Sequence, residues 1–310
     1  MMLRDNRASE AAVLAAIFGA VISATSCSKE AEDEIVPAAE VVVDPSRCSG
    51  GNPIERTTTL TFNGVEFTMV AVPAGSFLMG IQSDDPSAAA YDEVATEFEK
   101  PIHTVHLSAY AIGETEVTQE LWKAVVGQSP IDGAKQWSNT RGRGDKFPAY
   151  NVSYYDIVNR FLPKLNSANL LPTGMEFVVP TEAEWEFAAQ GGERTDYIRY
   201  AGSDVIDEVA WYYDNAGQTT HEVKTKKPNS LGIYDMTGNL WEWTADFYDY
   251  YDGAEQTDPT GAATGVDHVI RGGSFDTGAA RSVIHARVYS DYPASRNEYL
   301  GFRIAVRTKK

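Results

Sequence analysis

Between Pro228 and Asp246 the chain reads P-N-S-L-G-I-Y-D-M-T-G-N-L-W-E-W-T-A-D, with Asp235, Asn239 and Glu242 offering side-chain oxygens. Trp241 and Trp243 flank Glu242, and Gly232 and Gly238 punctuate the approach. Tryptophans in this setting are expected inside. A carboxylate buried beside them needs backbone N–H donors or a hard cation, because an uncompensated buried charge is costly. The other candidates for chemistry are sparse. Cys27 and Cys48 are the 2 cysteines, which builds neither a disulfide framework nor a cysteine metal site once Cys27 is modified. The 5 histidines are His103, His106, His221, His268 and His285. His103 and His106 fall on a predicted strand and point to opposite faces, so they are expected as surface or core residues, not as part of a metal triad. Asp276, Arg281, His285 and Arg287 lie close in sequence and could do acid–base work or form a structural ion-pair set. No G-x-S-x-G, P-loop or zinc-protease motif occurs.

The elements that must position these residues begin near Thr57. Thr57–Phe62 alternates and is β-branched, Asn63-Gly64 is a hairpin signal, and Val65–Val72 returns as the second strand. Ser76–Gly80 reads as a short strand, the acidic stretch Asp84–Glu99 as a surface loop, and His103–Ile112 as one alternating strand. Three helices have recognisable starts. Thr118 caps Gln119–Val126, which Gly127 ends. Ser153 with Asp156 opens a helix to Leu165 whose Ile157, Phe161 and Leu165 share a face. Thr181 with Glu184 forms a capping box before E-A-E-W-E-F-A-A-Q, which Gly191-Gly192 stops. Residues 192–310 read as loops, turns and short strands, with no helix and no internal repeat.

Ahead of this domain, residues 1–27 read as a targeting segment: Arg4 and Arg7, then the apolar run Ala11–Ile22, then Ser23-Ala24-Thr25-Ser26-Cys27. The run is short for a membrane span, and its end resembles a bacterial lipobox, which makes Cys27 the expected lipidated residue and membrane anchor. Residues 28–56 carry Glu30, Glu32, Asp33, Glu34, Glu40 and Asp44 with three prolines, a composition that reads as an acidic flexible tether. The chain of 310 residues is 43% hydrophobic, enough for a sizeable core over 57–310, and its net charge of −18 excludes a nucleic-acid partner.

Several segments together resemble one family. They are Met69–Gly80, Glu114-Thr115-Glu116-Val117-Thr118, Pro148–Tyr154, Leu171-Pro172-Thr173, Val179–Glu186, the Pro228–Asp246 stretch, Arg271-Gly272-Gly273-Ser274-Phe275 and Leu300-Gly301-Phe302-Arg303. In this order, from about Thr57 to Arg307, they resemble the formylglycine-generating enzyme, or sulfatase-modifying factor, family. The resemblance implies an α+β fold, a C-type-lectin-like variant with much irregular structure. It also implies oxidation of a client sulfatase cysteine at a copper held by two cysteines just after the Arg-Gly-Gly-Ser-aromatic motif. Here that motif is followed by Asp276-Thr277-Gly278-Ala279-Ala280-Arg281-Ser282, and no cysteine follows Cys48. Hydroxyls and carboxylates do not replace thiolates as Cu(I) ligands, so copper is not expected. Ser274 and Trp241 match the wall of the family's oxygen pocket. The resemblance further implies a Ca²⁺ site at Asp235, Gly238, Leu240 and Glu242, whose donors are the oxygens that calcium takes.

The expected function is therefore a non-catalytic module tethered to the cell envelope, at the outer membrane or cell surface, that binds an envelope protein or a glycan. Trp211-Tyr212-Tyr213 and Phe247–Asp252 are candidate binding surfaces. The alternative is a formylglycine-generating-type oxidoreductase, or an altered enzyme, acting on a sulfatase.

Overall fold

The computed structural model describes residues 56–309, apart from 82, 84, 89–91, 94, 128–129, 131–132, 195 and 288–289. The expected leader with Cys27, and the tether with Cys48 up to residue 55, lie outside them.

The first hairpin forms where the local signal is strongest. β1 (Thr57–Phe62) pairs antiparallel with β2 (Val65–Val72), and Asn63 and Gly64 take φ 48° and 82°, the left-handed pair that a two-residue turn requires. β3 (Gly75–Met79) pairs with β4 (His103–Leu107). The strand expected over His103–Ile112 is in fact two, because β5 (Tyr110–Gly113) leaves β4 at Ser108. There Asp258 accepts both the Ser108 N–H and its hydroxyl, at 2.7 Å each, which diverts the backbone from the ladder. The acidic stretch before β4 ends in a 3-10 turn, Glu97–Glu99, with Thr96 as its cap and Glu99 buried.

Helix α1 (Gln119–Val126) starts at Thr118 and stops at Gly127, as the caps imply. The second helical segment, α2, runs Tyr154–Asp156, a π turn Ile157–Phe161, then Leu162–Asn166. Pro163 has no N–H to give the preceding turn, which fits the wider winding just before it. β6 (Met175–Val178) follows, then α3 (Glu182–Gln190) with its Thr181–Glu184 capping box, worth ~1 kcal/mol. α3 is buried on every side, its three glutamates included. A short α4 (Ile206–Val209) stands in the half expected to lack helices. β7 (Trp241–Phe247), β8 (Gln256–Thr257), β9 (His268–Arg271), β10 (Ser290–Asp291), β11 (Leu300–Gly301) and β12 (Ala305–Thr308) complete the chain.

These strands make three sheets, ordered β1-β2-β5-β12-β6, β10-β9-β7-β11 and β3-β4-β8. One core packs α1 and α2 on the first sheet around Trp122, Phe161 and Phe302, and Trp243 joins it from the second sheet. A second core surrounds α3 through Trp185 and Phe187. β7 runs between the two cores, so residues at its ends are where the buried charges collect.

Candidate functional site

β11 lies parallel to β7 with Gly301 opposite Glu242, which carries Arg303 of the L-G-F-R segment to the W-E-W segment. Arg303 donates to both Glu242 oxygens at 2.7 Å, and Trp185 Nε1 donates to Oε2 at 2.7 Å. The remaining Arg303 donors reach the carbonyls of Gly113 and Tyr234. Two more acids share this arginine. Glu116 accepts from Asn239 Nδ2 at 2.7 Å and from the Leu240 N–H at 3.0 Å. Asp235 accepts the Lys224 N–H at 2.8 Å. Burial, then Asp235 and Glu242, pushes the Glu116 carboxyl well above the usual carboxylate range. Burial raises Asp235 to about 6, against the Lys224 hydrogen bond and the Arg303 charge. Gly238 holds the loop in shape: at φ 79°, a Cβ there would sit 2.3 Å from the Trp211 carbonyl oxygen.

Asp235, Gly238 and Leu240 thus lie in the loop that leads into β7, and Glu242 is the second residue of that strand. The donor set suits a hard cation in kind, since three buried carboxylates share one arginine and loop carbonyls lie among them. Glu242 differs from the simplest form of that expectation, because both its oxygens already serve Arg303, and an ion would share it. Among the described residues no three His, Cys, Asp or Glu side chains converge as a metal site, so main-chain carbonyls would have to complete the shell.

Beyond Trp241 lies a cleft of ≈ 300 Å³ lined by Ser274, Asp276, Thr277, Arg281, Asp291 and Tyr299. The Phe275 N–H bonds the Asn239 carbonyl at 2.9 Å and the Gly238 N–H bonds that of Gly272, fixing this wall to the ion-pair loop. Ser274 is buried; its N–H donates to Thr277 Oγ1 at 3.1 Å, the two hydroxyls lie 3.0 Å apart, and Ser274 Oγ accepts the Asp276 N–H at 3.2 Å. These bonds engage the hydroxyl in a structural turn. Asp276 and Arg281 are exposed at the mouth. Tyr299 lines the cleft with an exposed ring, and the Tyr213 N–H bonds the carbonyl of Thr277 in its wall.

The four residues weighed for acid–base work do not converge. Asp276 and Arg281 line this cleft, His285 Nε2 lies 3.2 Å from Asp92, and Arg287 binds Glu182 through two bonds of 2.8 and 3.0 Å. His103 is buried and His106 half-exposed on alternate positions of β4, as expected for opposite faces. His221 stacks on Trp211 at 3.7 Å, and His268 stacks on Tyr154 at 3.8 Å. Of the aromatic segments, Tyr212 is core, Tyr213 is at the cleft, and Phe247–Asp252 lines a second cleft at the far end of β7. Sequence reasoning did not single out Glu116, Asp291 or Tyr299. The signal that could have found Glu116 is its place in Glu114-Thr115-Glu116-Val117-Thr118, one of the segments that carry the resemblance.

A family-level comparison matches residues 61–308 to the sulfatase-modifying factor enzyme 1-like domain. Among relatives, the formylglycine-generating enzyme of Streptomyces coelicolor is 31% identical over 288 residues, covering 76% of this chain and 88% of that protein. The chaperone protein LppX of Paenibacillus barcinonensis is 31% identical over 198 residues, covering 49% of this chain and 68% of LppX. Among solved structures, Treponema denticola variable protein 1 superposes with a TM-score of 0.67 at 32% identity, covering 83% of this chain and 100% of that one. PvdO from Pseudomonas aeruginosa gives 0.63 at 26% identity, covering 77% and 94%.

Proposed function

The chain belongs to the sulfatase-modifying factor enzyme 1-like family and has its α+β, formylglycine-generating-enzyme fold, and from that premise we propose that it is a non-catalytic binding module whose ligand is a protein. The observation that carries this reading is the cleft beside Ser274 and Trp241, which presents the exposed Tyr299 ring and carries Asp276 and Arg281 at its mouth. Rigid rings with a polar tip bury much area at small entropic cost, and flanking charges select the partner and its orientation. The cleft holds no thiol and no cysteine follows Cys48, so the soft ligands for Cu(I) are missing from the domain. One relative bears the name of a chaperone and not of an enzyme, in keeping with a binding role.

In this reading Cys27 is lipidated and anchors the domain to the cell envelope, facing an envelope protein, through the acidic tether. Calcium sits at Asp235, the Gly238 and Leu240 carbonyls and Glu242, and offsets the excess of carboxylates behind the cleft wall. It would supply charge compensation and no chemistry on a ligand.

The second reading, an oxidoreductase acting on a sulfatase, has in its favour the likeness to formylglycine-generating enzymes. Oxygen uptake by the full chain with copper and a cysteine-containing peptide separates the two. Uptake no greater than with copper and peptide alone is expected, and sustained turnover would overturn the binding reading. Capture from the native envelope should yield a dedicated protein partner, lost on joint Arg281→Glu and Tyr299→Ala substitution. Retention of a glycan in place of a protein would shift the ligand class.

A further inference from the structure

At the opposite end of β7, Asp246 and Glu182 form the floor of a second cleft, of ≈ 370 Å³. Phe247, Tyr250 and Tyr251 wall it, and Asp249 and Asp252 stand at the rim. The floor is a buried ion cluster. Arg287 grips Glu182, the Tyr251 hydroxyl donates to Glu182 at 3.2 Å, and Arg271 pairs with Glu186. Two arginines thus meet two glutamates. Asp246 is a further acid of the group and, among the described residues, forms no ion pair, although the charge of Arg287 acts on it. Its Oδ2 accepts the Glu182 N–H at 2.7 Å, while Oδ1 accepts no hydrogen bond from the described residues, although the residue is only 4% exposed.

We propose that this cleft binds a primary alkylammonium group, seated on the Asp246 carboxylate with the Tyr250 and Tyr251 rings as its walls. The chemistry follows from what is already engaged. Both Glu182 oxygens serve Arg287, Asp249 Oδ1 accepts the Tyr250 N–H, and Asp252 Oδ1 accepts from Ala254 N–H and Gln256. A polyol would need several convergent donors and acceptors, and a hard metal ion a shell of oxygens, whereas, among the described residues, Asp246 is the one buried carboxylate here with an unengaged oxygen, set among aromatic faces, and Asp249 and Asp252 add negative charge at the exposed rim. The chain itself uses the same pairing next door, where the Arg287 guanidinium lies 4.2 Å from the Tyr251 ring centroid and 4.8 Å from that of Tyr248. The loop over the seat is closely fitted: Gly261 has φ 72°, and a Cβ there would stand 2.8 Å from Asp246 Oδ1.

The groups facing Asp246 are Glu182 and Glu184 of α3, Arg287, and Tyr154 of α2, with Asp249, Asp252 and His103 farther out in the cleft. Burial and then Glu182 push its carboxyl up to about 8, so at neutral pH it carries a proton that an arriving ammonium must displace. Binding therefore releases a proton, and affinity rises roughly tenfold per pH unit up to about pH 8.

This cleft is separate from the one assigned above, and so is its test. The full chain is titrated calorimetrically with n-butylammonium, with N-acetyl-lysine methylamide and with n-butanol, in buffers of different ionisation enthalpy. Saturable binding of both amines with release of a proton, and none of butanol, supports the proposal. Tighter binding of the lysine derivative supports it with a protein lysine as the source, and equal binding supports it with a free amine. Asp246→Asn should abolish amine binding, and Tyr250→Ala, at an exposed ring that cannot unfold the core, should weaken it about threefold. The proposal is overturned if butanol, a monosaccharide or Ca²⁺ takes the cleft as well as the amines do. Amine binding that survives Asp246→Asn overturns it too, as does the absence of saturable binding.

Discussion

Two groups of buried carboxylates flank β7, and the chain compensates them differently. At the Trp241 end, Glu116, Asp235 and Glu242 share the single guanidinium of Arg303. Around α3, Glu182, Glu186 and Asp246, with Glu184 beside them, face Arg271 and Arg287. Both groups carry more acid than base. In the first the excess is spread over Glu116 and Asp235, beside a loop of carbonyls. In the second, Arg287 and Arg271 outweigh the burial that would raise Glu182 and hold it below the ordinary range, so the burden falls on Glu186, which burial raises despite Arg271, and on Asp246, which has no arginine bonded to it and is pushed up to about 8. A diffuse excess suits a metal ion shared among many oxygens. A localised one suits a proton, or one organic cation that replaces it.

Arg303→Leu should show the difference most strongly, because it leaves three buried acids without a cation, a loss of about 3–5 kcal/mol. Arg287→Leu should cost less, since Arg271 Nε remains 3.7 Å from Glu182. Equal losses in urea unfolding would mean that the two ends are not distinct in the way described. Asp246→Asn should stabilise. The folded carboxyl is at about 8 and an ordinary one near 3.8, so between those limits the unfolded chain ionises while the folded one does not, and stability falls as pH rises. The substitution should recover roughly 4 kcal/mol at pH 7, and the gain should vanish below about pH 4, where both states are protonated. A gain that persists in acid would remove Asp246 titration as its cause. Calcium well above its Kd should add about 2 kcal/mol to the parent over chelator. Asp235→Ala and Glu242→Ala should abolish that increment while Asp246→Asn leaves it intact, and a Glu242→Ala variant that melts like the parent in both media would end the case for the ion. Thr181→Ala, which loosens only the start of α3, should cost about 1 kcal/mol.

What could be read in advance follows the range of the interactions. The Asn63-Gly64 hairpin and the three helix caps were legible because each is decided within a few residues. The break at Ser108 was not, because the group that causes it, Asp258, is 150 residues away. The burial of Glu116 was hidden for the same reason: its partners Asn239 and Leu240 come 123 and 124 positions later. The W-E-W stretch was recognisable as a centre, yet its counter-charge, Arg303, carried no local signal beyond its place in L-G-F-R. The cleft draws Trp241, Ser274, Arg281, Asp291 and Tyr299 from separate segments, and no window of sequence displays it.

The place of β12 has a consequence in time. It lies between β5 and β6, with Ala305 opposite both Ile112 and Val178, and Arg303 stands just before it. A nascent chain that has emerged only as far as β11 has a central strand missing from its first sheet, and Glu242 has not yet met its arginine. The domain must therefore wait for these late residues before it can close, and non-local pairing of this kind is slow. Until those residues arrive the first sheet lacks the strand that joins β5 to β6, and the buried acids behind it stay open to water.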